Sequence, residues 1–147
     1  MNIVLRGEFL KQMAYIVTVL FIICVGTICM VLAKDEDSGN IEFLGEYGWE
    51  VRGECVEREK VEIPRVFDEV YNDYNSLQRL AGLDISDYKG KKAIRYTYIV
   101  TNFPNETEEK EIRANVLTVN GRPIAGDIMT VSLDGFMCSL NYLKIGR

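Results

Sequence analysis

The chain has 147 residues, a formal net charge of −5 and no histidine. The lack of histidine excludes a Ser-His-Asp triad, a Cys-His dyad and a histidine-ligated zinc site. Acidic and basic residues are interspersed, without the basic stripe that marks a nucleic-acid-binding surface. Acid–base chemistry would therefore fall to carboxylates, lysine, tyrosine or cysteine.

An uncharged apolar run occupies residues 13–33. A helix needs about 20 apolar residues to cross a bilayer, so this run predicts a transmembrane signal anchor. Arg6 and Lys11 precede the run, and an acidic stretch follows it. Because basic flanks stay inside, we expect residues 1–12 in the cytoplasm and the C-terminal part outside the cell membrane.

Two other fates of this segment stay open. Cleavage after Ala33, at the small-residue end of the run, would release a secreted protein. Lipidation would require a small residue before the modified cysteine, but Cys24 and Cys29 each follow isoleucine. An export signal has an apolar core of only about 7–15 residues, so an uncleaved single-pass anchor is favoured.

The rest of the chain is enough for one domain. Residues 34–45 are acidic, contain glycine and show weak periodicity, so they predict a stalk. Residues 46–147 then form a single extracytoplasmic domain. Within it, alternating apolar residues over 49–63 predict a first strand.

A different period begins after Pro64. Apolar residues over 66–81 recur at helical spacing, and Gly82 is a natural stop. This pattern predicts an amphipathic helix of about four turns. Tyr71 and Tyr74 lie on its apolar stripe, where they could line a groove or simply pack on a sheet with their hydroxyls at the rim.

Strand patterns dominate the remainder. Residues 94–101 alternate, with Tyr96 and Tyr98 on one side, and they are rich in β-branched and aromatic residues. Further on, Asn120-Gly121 is a strong hairpin signal between two more strands. We therefore expect an α+β domain of two layers, with one amphipathic helix packed on an antiparallel sheet of about four strands.

The candidate site residues are few. Cys55 and Cys138 could form a disulfide if the domain is outside the cell, or remain as two buried thiols. Asp127 and Asp134 lie near the ends of the last hairpin and are candidate groove or surface residues, together with the four tyrosines above. No nucleophile–base pair and no phosphate-binding glycine loop is recognisable. The sequence thus predicts no catalytic, cofactor-binding or metal-binding residues.

Several segments carry a resemblance to a known family. The blocks YKGKK-x-x-RYTY, from Tyr88 to Tyr98, and RANVL, GDI and LDGFM, from Arg113 to Met137, resemble the bacterial domain of unknown function 4830 family. The resemblance covers about Tyr47 to Met137. It implies a small membrane-anchored protein of a Gram-positive bacterium and a shared fold, but no activity.

These observations predict a membrane-anchored envelope protein that is not an enzyme. Its outer domain would be a binding or interaction module for a peptide, protein or cell-wall ligand, through a sheet edge or the groove between helix and sheet. Its expected partners are the membrane, through residues 13–33, and an envelope protein or peptide, with no nucleic acid and no cofactor. The alternatives are an envelope enzyme that uses carboxylates or lysine, and a secreted protein cleaved near Ala33.

Overall fold

The computed structural model describes residues 2–104, 111–132 and 135–145, and within these it leaves out the side chains of residues 2–11, 26–35 and 145. The chain divides into two units, Met1–Asp35 and Glu36–Arg147. Both clusters of buried apolar side chains lie in the second unit. We therefore expect residues 36–147 to fold by themselves.

The first unit is helical. Helix α1 comprises Asn2–Glu46, and the side chains of residues 12–25 are all exposed. Across the described part of the chain, no helix meets the length and apolarity that a bilayer crossing demands. Side chains 26–33 of the predicted span lie outside the described set, so the anchor over 13–33 stays a prediction.

The second unit is built on one antiparallel sheet, which confirms the expected α+β class. Within the described residues, five strands follow each other in chain order across the sheet, one more than expected. They are β1 (Glu57–Glu62), β2 (Lys92–Ile99), β3 (Ile112–Val119), β4 (Arg122–Thr130) and β5 (Met137–Ser139). The other elements are helix α2 (Glu69–Leu80), a 3₁₀ turn (Ser86–Tyr88) and helix α3 (Tyr142–Ile145).

Strand alternation gives the sheet two covered faces. On β2, Tyr96 and Tyr98 join one buried cluster, and Ala93 joins the other. Since successive side chains of a strand point to opposite faces, these clusters lie on opposite sides of the sheet. Tyr71 and Tyr74 of α2 pack on the cluster that contains Ala93.

The opposite face is covered by the end of α1, which corrects the predicted stalk at 34–45. Asn40 and Leu44 are only 1% and 0% exposed. Asn40 Nδ2 donates to the Tyr98 hydroxyl at 3.1 Å, and that hydroxyl donates to Asp37 Oδ1 at 2.6 Å. The buried side of this helix end is largely polar, so its hydropathy pattern resembles that of a linker. The domain therefore has helices on both faces of the sheet rather than two layers.

Helix α2 is confirmed, but it begins later than expected. Asp68 accepts a hydrogen bond from the Tyr71 N–H at 2.9 Å and caps the first turn. A capping carboxylate satisfies an N–H that has no partner within the helix, so the helix begins directly after it. Gly82, with φ +76°, follows its end.

The hairpin at Asn120-Gly121 is also confirmed. Both residues have positive φ, 52° and 73°. This is the backbone of a type I′ turn, whose twist matches that of the flanking strands. The turn brings β4 back against β3, with a register shift between Leu117 and Thr118.

A polar-floored cleft between helix α2 and the sheet

A cleft of about 620 Å³ lies between α2 and the face of the sheet that α2 covers. Its walls are mostly apolar, with a few polar side chains among them. This size and composition are typical of ligand-binding pockets. The lining comprises Val61, Glu62, Ile63, Val70, Tyr71, Asp73, Tyr74, Leu77, Ile85, Arg95, Asn115, Leu117, Asp127, Met129 and Met137.

A row of polar side chains crosses the sheet, and its middle pair, Asn115 and Asp127, lies at the floor of the cleft. Thr97, Asn115, Asp127 and Ser139 pair in register on strands β2 to β5, and all four are buried. Thr97 Oγ1 donates to Asn115 Oδ1, and Asn115 Nδ2 donates to Asp127 Oδ2, both at 2.8 Å. From the helix above, the Tyr74 hydroxyl donates to Asp127 Oδ1 at 3.0 Å. Each oxygen of Asp127 thus accepts one hydrogen bond.

Burial dominates the electrostatics of this floor. It raises the pKa of Asp127, although the hydrogen bonds from Asn115 and Tyr74 oppose the change. Burial also raises the pKa of Tyr74 well above its usual value, with a further contribution from the Asp127 charge. Because the folded-state pKa of Asp127 exceeds its unfolded value, ionising this carboxyl costs stability as pH rises through the acidic range.

Arg95 is the one basic side chain among the described residues that line the cleft. Its terminal nitrogen bonds Glu59 Oε2 at 2.5 Å, on the neighbouring strand. Its Nε is buried without a hydrogen-bond partner, and the same holds for Nε2 of Gln78. The other end of the Gln78 amide is occupied, because Oε1 accepts from the Gly126 N–H at 2.9 Å.

Three of the residues predicted for a groove or surface lie together. Tyr71, Tyr74 and Asp127 line the cleft together. Asp134 lies outside the described residues. An envelope enzyme would be expected to gather Asp127, Asp134, a tyrosine and a lysine, whereas the described lining has an arginine that is already ion-paired. Among the described residues, no group of acids and cysteines could hold a metal ion.

Tyr96 and Tyr98 are predicted beside the same groove, but they lie on the opposite face. The Tyr96 hydroxyl donates to Glu36 Oε2 at 2.5 Å, and burial followed by this hydrogen bond raises the pKa of Tyr96 to about 12. Both tyrosines hold the end of α1 against the sheet. As even-numbered residues of β2, both point to the face opposite the cleft. The odd-numbered side chains, such as Arg95, point to the face on which the cleft lies.

The candidate disulfide does not form, because Cys55 and Cys138 are both free thiols. Cys55 directly precedes the β1 segment at one edge of the sheet, and Cys138 belongs to β5 at the other. Four inter-strand spacings place them roughly 19 Å apart, whereas a disulfide requires Cα atoms within about 7 Å. Burial raises the pKa of Cys138 to about 11.

Sequence reasoning missed Arg95 and Asn115, which complete the floor, Thr97, which bonds Asn115, and the two methionines of the wall. Arg95 and Thr97 make the middle of the odd-numbered side of β2 polar, and polar side chains on a strand are ordinarily expected to face solvent. The sequence feature that did indicate the cleft was the pair Tyr71 and Tyr74 on the apolar stripe of α2. To predict that the second face of the sheet is also covered, one would have to expect a row of polar side chains to be buried.

Comparison with known proteins gives one family. The model of the domain of unknown function DUF4830 matches residues 43–128, more than half of the chain. The match includes Arg95, Asn115 and Asp127 of the cleft and excludes Met129 and Met137. No curated protein and no solved structure matches this chain.

Proposed function

Because this chain belongs to the family of the domain of unknown function DUF4830, whose description names no activity, we propose a function from the geometry of the cleft. The domain of residues 36–147 is a non-catalytic binding module. Its ligand is a peptide segment of another envelope protein, which places apolar side chains in the cleft between α2 and the sheet. The observation that carries this proposal is the cleft itself, with its apolar walls and its ordered polar floor.

The walls favour a peptide with apolar side chains. Met129 and Met137 lie at one side, and Tyr71 and Tyr74 come from the helix. Methionine adapts its shape to different apolar partners, and tyrosine offers a large rigid surface with a polar tip. Surfaces of this composition bind peptide side chains with moderate specificity.

The sheet edges favour the cleft over strand addition. Strand β1 presents a row of exposed charged residues at its edge, Glu57, Arg58, Glu59, Lys60 and Glu62. Charges on an edge strand discourage pairing with another chain. At the opposite edge, β5 has only three residues, which is too short to align an incoming strand. A peptide therefore gains more from the cleft.

The chemistry of the floor favours a non-catalytic role. Asp127 accepts hydrogen bonds from Tyr74 and Asn115, and neither partner is a nucleophile with an adjacent base. Burial and the Asp127 charge both hold Tyr74 protonated. This arrangement suits the binding and orientation of a ligand, because the described floor brings no nucleophile together with a base.

The same proposal includes the membrane. Residues 13–33 anchor the protein, with the N-terminus inside and the domain outside. The support is the uncharged apolar run and its basic N-terminal flank. In addition, large apolar side chains such as Phe21 and Ile22 are exposed on the described part of this helix. An all-round apolar helix is unstable in water and requires burial or a bilayer.

Protease added to intact cells that produce the protein should remove the domain of residues 36–147. The reason is that the anchor would leave this domain on the outer surface. An antibody to the domain would follow its loss on a blot, with a cytoplasmic protein as the control for lysis. Survival of the domain on intact cells, together with digestion in lysed cells, would contradict the proposed location.

Filling the cleft should abolish peptide binding. Val70 lines the cleft and is 72% exposed, so Val70→Trp should cover the opening without disturbing the fold. Peptides selected from a displayed random library on the wild-type domain should bind this variant at least about tenfold more weakly, a loss of about 1.4 kcal/mol. Fluorescence anisotropy with the selected peptides would measure the change.

Val66→Trp is the matched control. Val66 is 83% exposed and does not line the cleft, so the same substitution there should leave the affinity unchanged. Equal loss in both variants would show that the selected peptides bind elsewhere. Selection of no peptide that depends on Val70 would contradict the proposed function.

A further inference from the structure

We infer that the peptide ligand inserts a basic side chain into the cleft, where its cationic tip pairs with the Asp127 carboxylate. This inference rests on the proposed function and names the class of side chain that the cleft recognises. Three features support it: a buried carboxylate without a direct ion pair, an acidic lining, and apolar walls above the carboxylate.

Asp127 is a buried carboxyl group whose hydrogen-bond donors are neutral. It is 2% exposed, and its two donors are a tyrosine hydroxyl and an asparagine amide. Buried carboxylates are normally paired with a cation, since the loss of water is costly. Burial raises the pKa of Asp127 and the Arg95 charge acts to lower it, but the terminal nitrogen of Arg95 bonds Glu59. The Asp127 carboxylate therefore has a cation in its surroundings but no direct ion pair among the described residues.

The remaining charges of the lining have the same sign. Among the described lining residues, Glu62, Asp73 and Asp127 are acidic and Arg95 alone is basic. Even with Arg95 counted, acidic side chains outnumber basic ones in the described lining, so the cleft favours a cationic ligand. A cation is attracted to this site, and an anionic side chain is repelled.

The shape of the cleft matches a long aliphatic stem with a charged tip. Leu77 and Met129 line the walls, and Asp127 lies at the floor. A lysine side chain buries its methylene groups against apolar surface and exposes its ammonium only at the end. Each carboxylate oxygen accepts a single protein hydrogen bond, so each retains acceptor capacity for that ammonium.

The carboxylate is retained at a cost to the free protein. Burial raises the Asp127 pKa, so the ionised form is disfavoured in the folded state. Charged groups that weaken the fold are common where a ligand later supplies the missing partner.

The test uses the full chain in lipid nanodiscs and three pools of fluorescein-labelled pentapeptides. The pools have lysine, norleucine or glutamate at the central position and the same randomised residues elsewhere. We expect the lysine pool to bind at least about tenfold more tightly than the norleucine pool, and the glutamate pool more weakly than either. Empty nanodiscs correct for partitioning into lipid.

Asp127→Asn should remove the advantage of the lysine pool. It should also lower the melting temperature, because an NH₂ group replaces one of the two oxygens that accept hydrogen bonds from Tyr74 and Asn115. Asp87→Asn, which removes one acidic charge outside the cleft lining, should leave that advantage intact. The comparison of pools on the wild type needs no variant, so it remains decisive even if Asp127→Asn unfolds.

The outcomes separate this inference from the proposed function. Equal binding of the lysine and norleucine pools, blocked by Val70→Trp, would overturn the role of Asp127 and leave a peptide cleft in place. A folded Asp127→Asn variant that keeps the lysine advantage would overturn that role as well. Failure of every pool to bind in a way that depends on Val70 would overturn both.

Discussion

Trp49→Ala is expected to destabilise the 36–147 domain by about 3–5 kcal/mol, the range for removing a buried tryptophan. Trp49 is 2% exposed and belongs to the cluster beneath the end of α1. Its Nε1–H donates to the Leu140 carbonyl at 2.7 Å, and its ring stacks on Phe103 with centroids 5.8 Å apart. The substitution therefore leaves both a cavity and an unpaired buried carbonyl.

Urea denaturation of the domain, followed by circular dichroism, would measure this loss. Trp49→Phe separates the two contributions, because it keeps most of the apolar volume but removes the donor to Leu140. We expect it to cost about 1–3 kcal/mol, the penalty for an unsatisfied buried acceptor. A loss below about 1 kcal/mol for Trp49→Ala would show that this side chain does not close the core.

Trp49 also connects distant parts of the chain. Its partner Leu140 is 91 residues away and follows β5. The carbonyl of Leu44 accepts from the Trp49 backbone N–H at 3.1 Å, directly after α1. The large expected effect thus comes from one side chain that joins the C-terminal segment to the end of the first helix.

The parts of the fold that were predicted correctly depend on local signals. Helix α2 has apolar residues at helical spacing, β2 alternates over eight residues, and Asn120-Gly121 demands positive φ. Each of these signals lies within a short window of sequence. Propensity and turn chemistry act at that range, so they are readable from the chain alone.

The burial of residues 36–46 was not predictable in the same way. This helix end places Asp37 and Asn40 against the sheet, and both are polar. Their burial is favourable only because the Tyr98 hydroxyl, about 60 residues later, satisfies them. No local pattern records such a pairing, so composition indicates a linker where the fold has a packed helix.

The floor of the cleft depends on strand register for the same reason. Asp127 is 12 residues from Asn115 and 53 residues from Tyr74, and Thr97 is 18 residues from Asn115. A shift of one residue in any strand would send these side chains to the other face. The candidate carboxylate could be named from its place near a hairpin, but its partners could not.

Gly126 in β4 is expected to be intolerant of even one added methyl group. A Cβ at this position would lie 2.7 Å from the Asn115 carbonyl oxygen and 2.8 Å from Leu140 Cδ1. The first contact is with backbone, which cannot move without breaking the β3–β4 pairing. Overpacking of this kind typically costs about 1–3 kcal/mol and occasionally more, and we expect Gly126→Ala to lose about 3 kcal/mol in urea denaturation.

Gly45→Ala provides the matched comparison in the same domain. Gly45 lies in α1, and a Cβ there would meet nothing within 4 Å, so the substitution should stabilise the helix end by roughly 0.5–1 kcal/mol. Both substitutions add the same methyl group, so the opposite signs of their expected stability changes come from the surroundings of the two glycines. Since Gly126 adjoins Asp127 and its N–H bonds Gln78, Gly126→Ala should also weaken binding of the lysine peptides. Unchanged stability together with unchanged binding would show that β3 and β4 are not packed as closely as the structure has them.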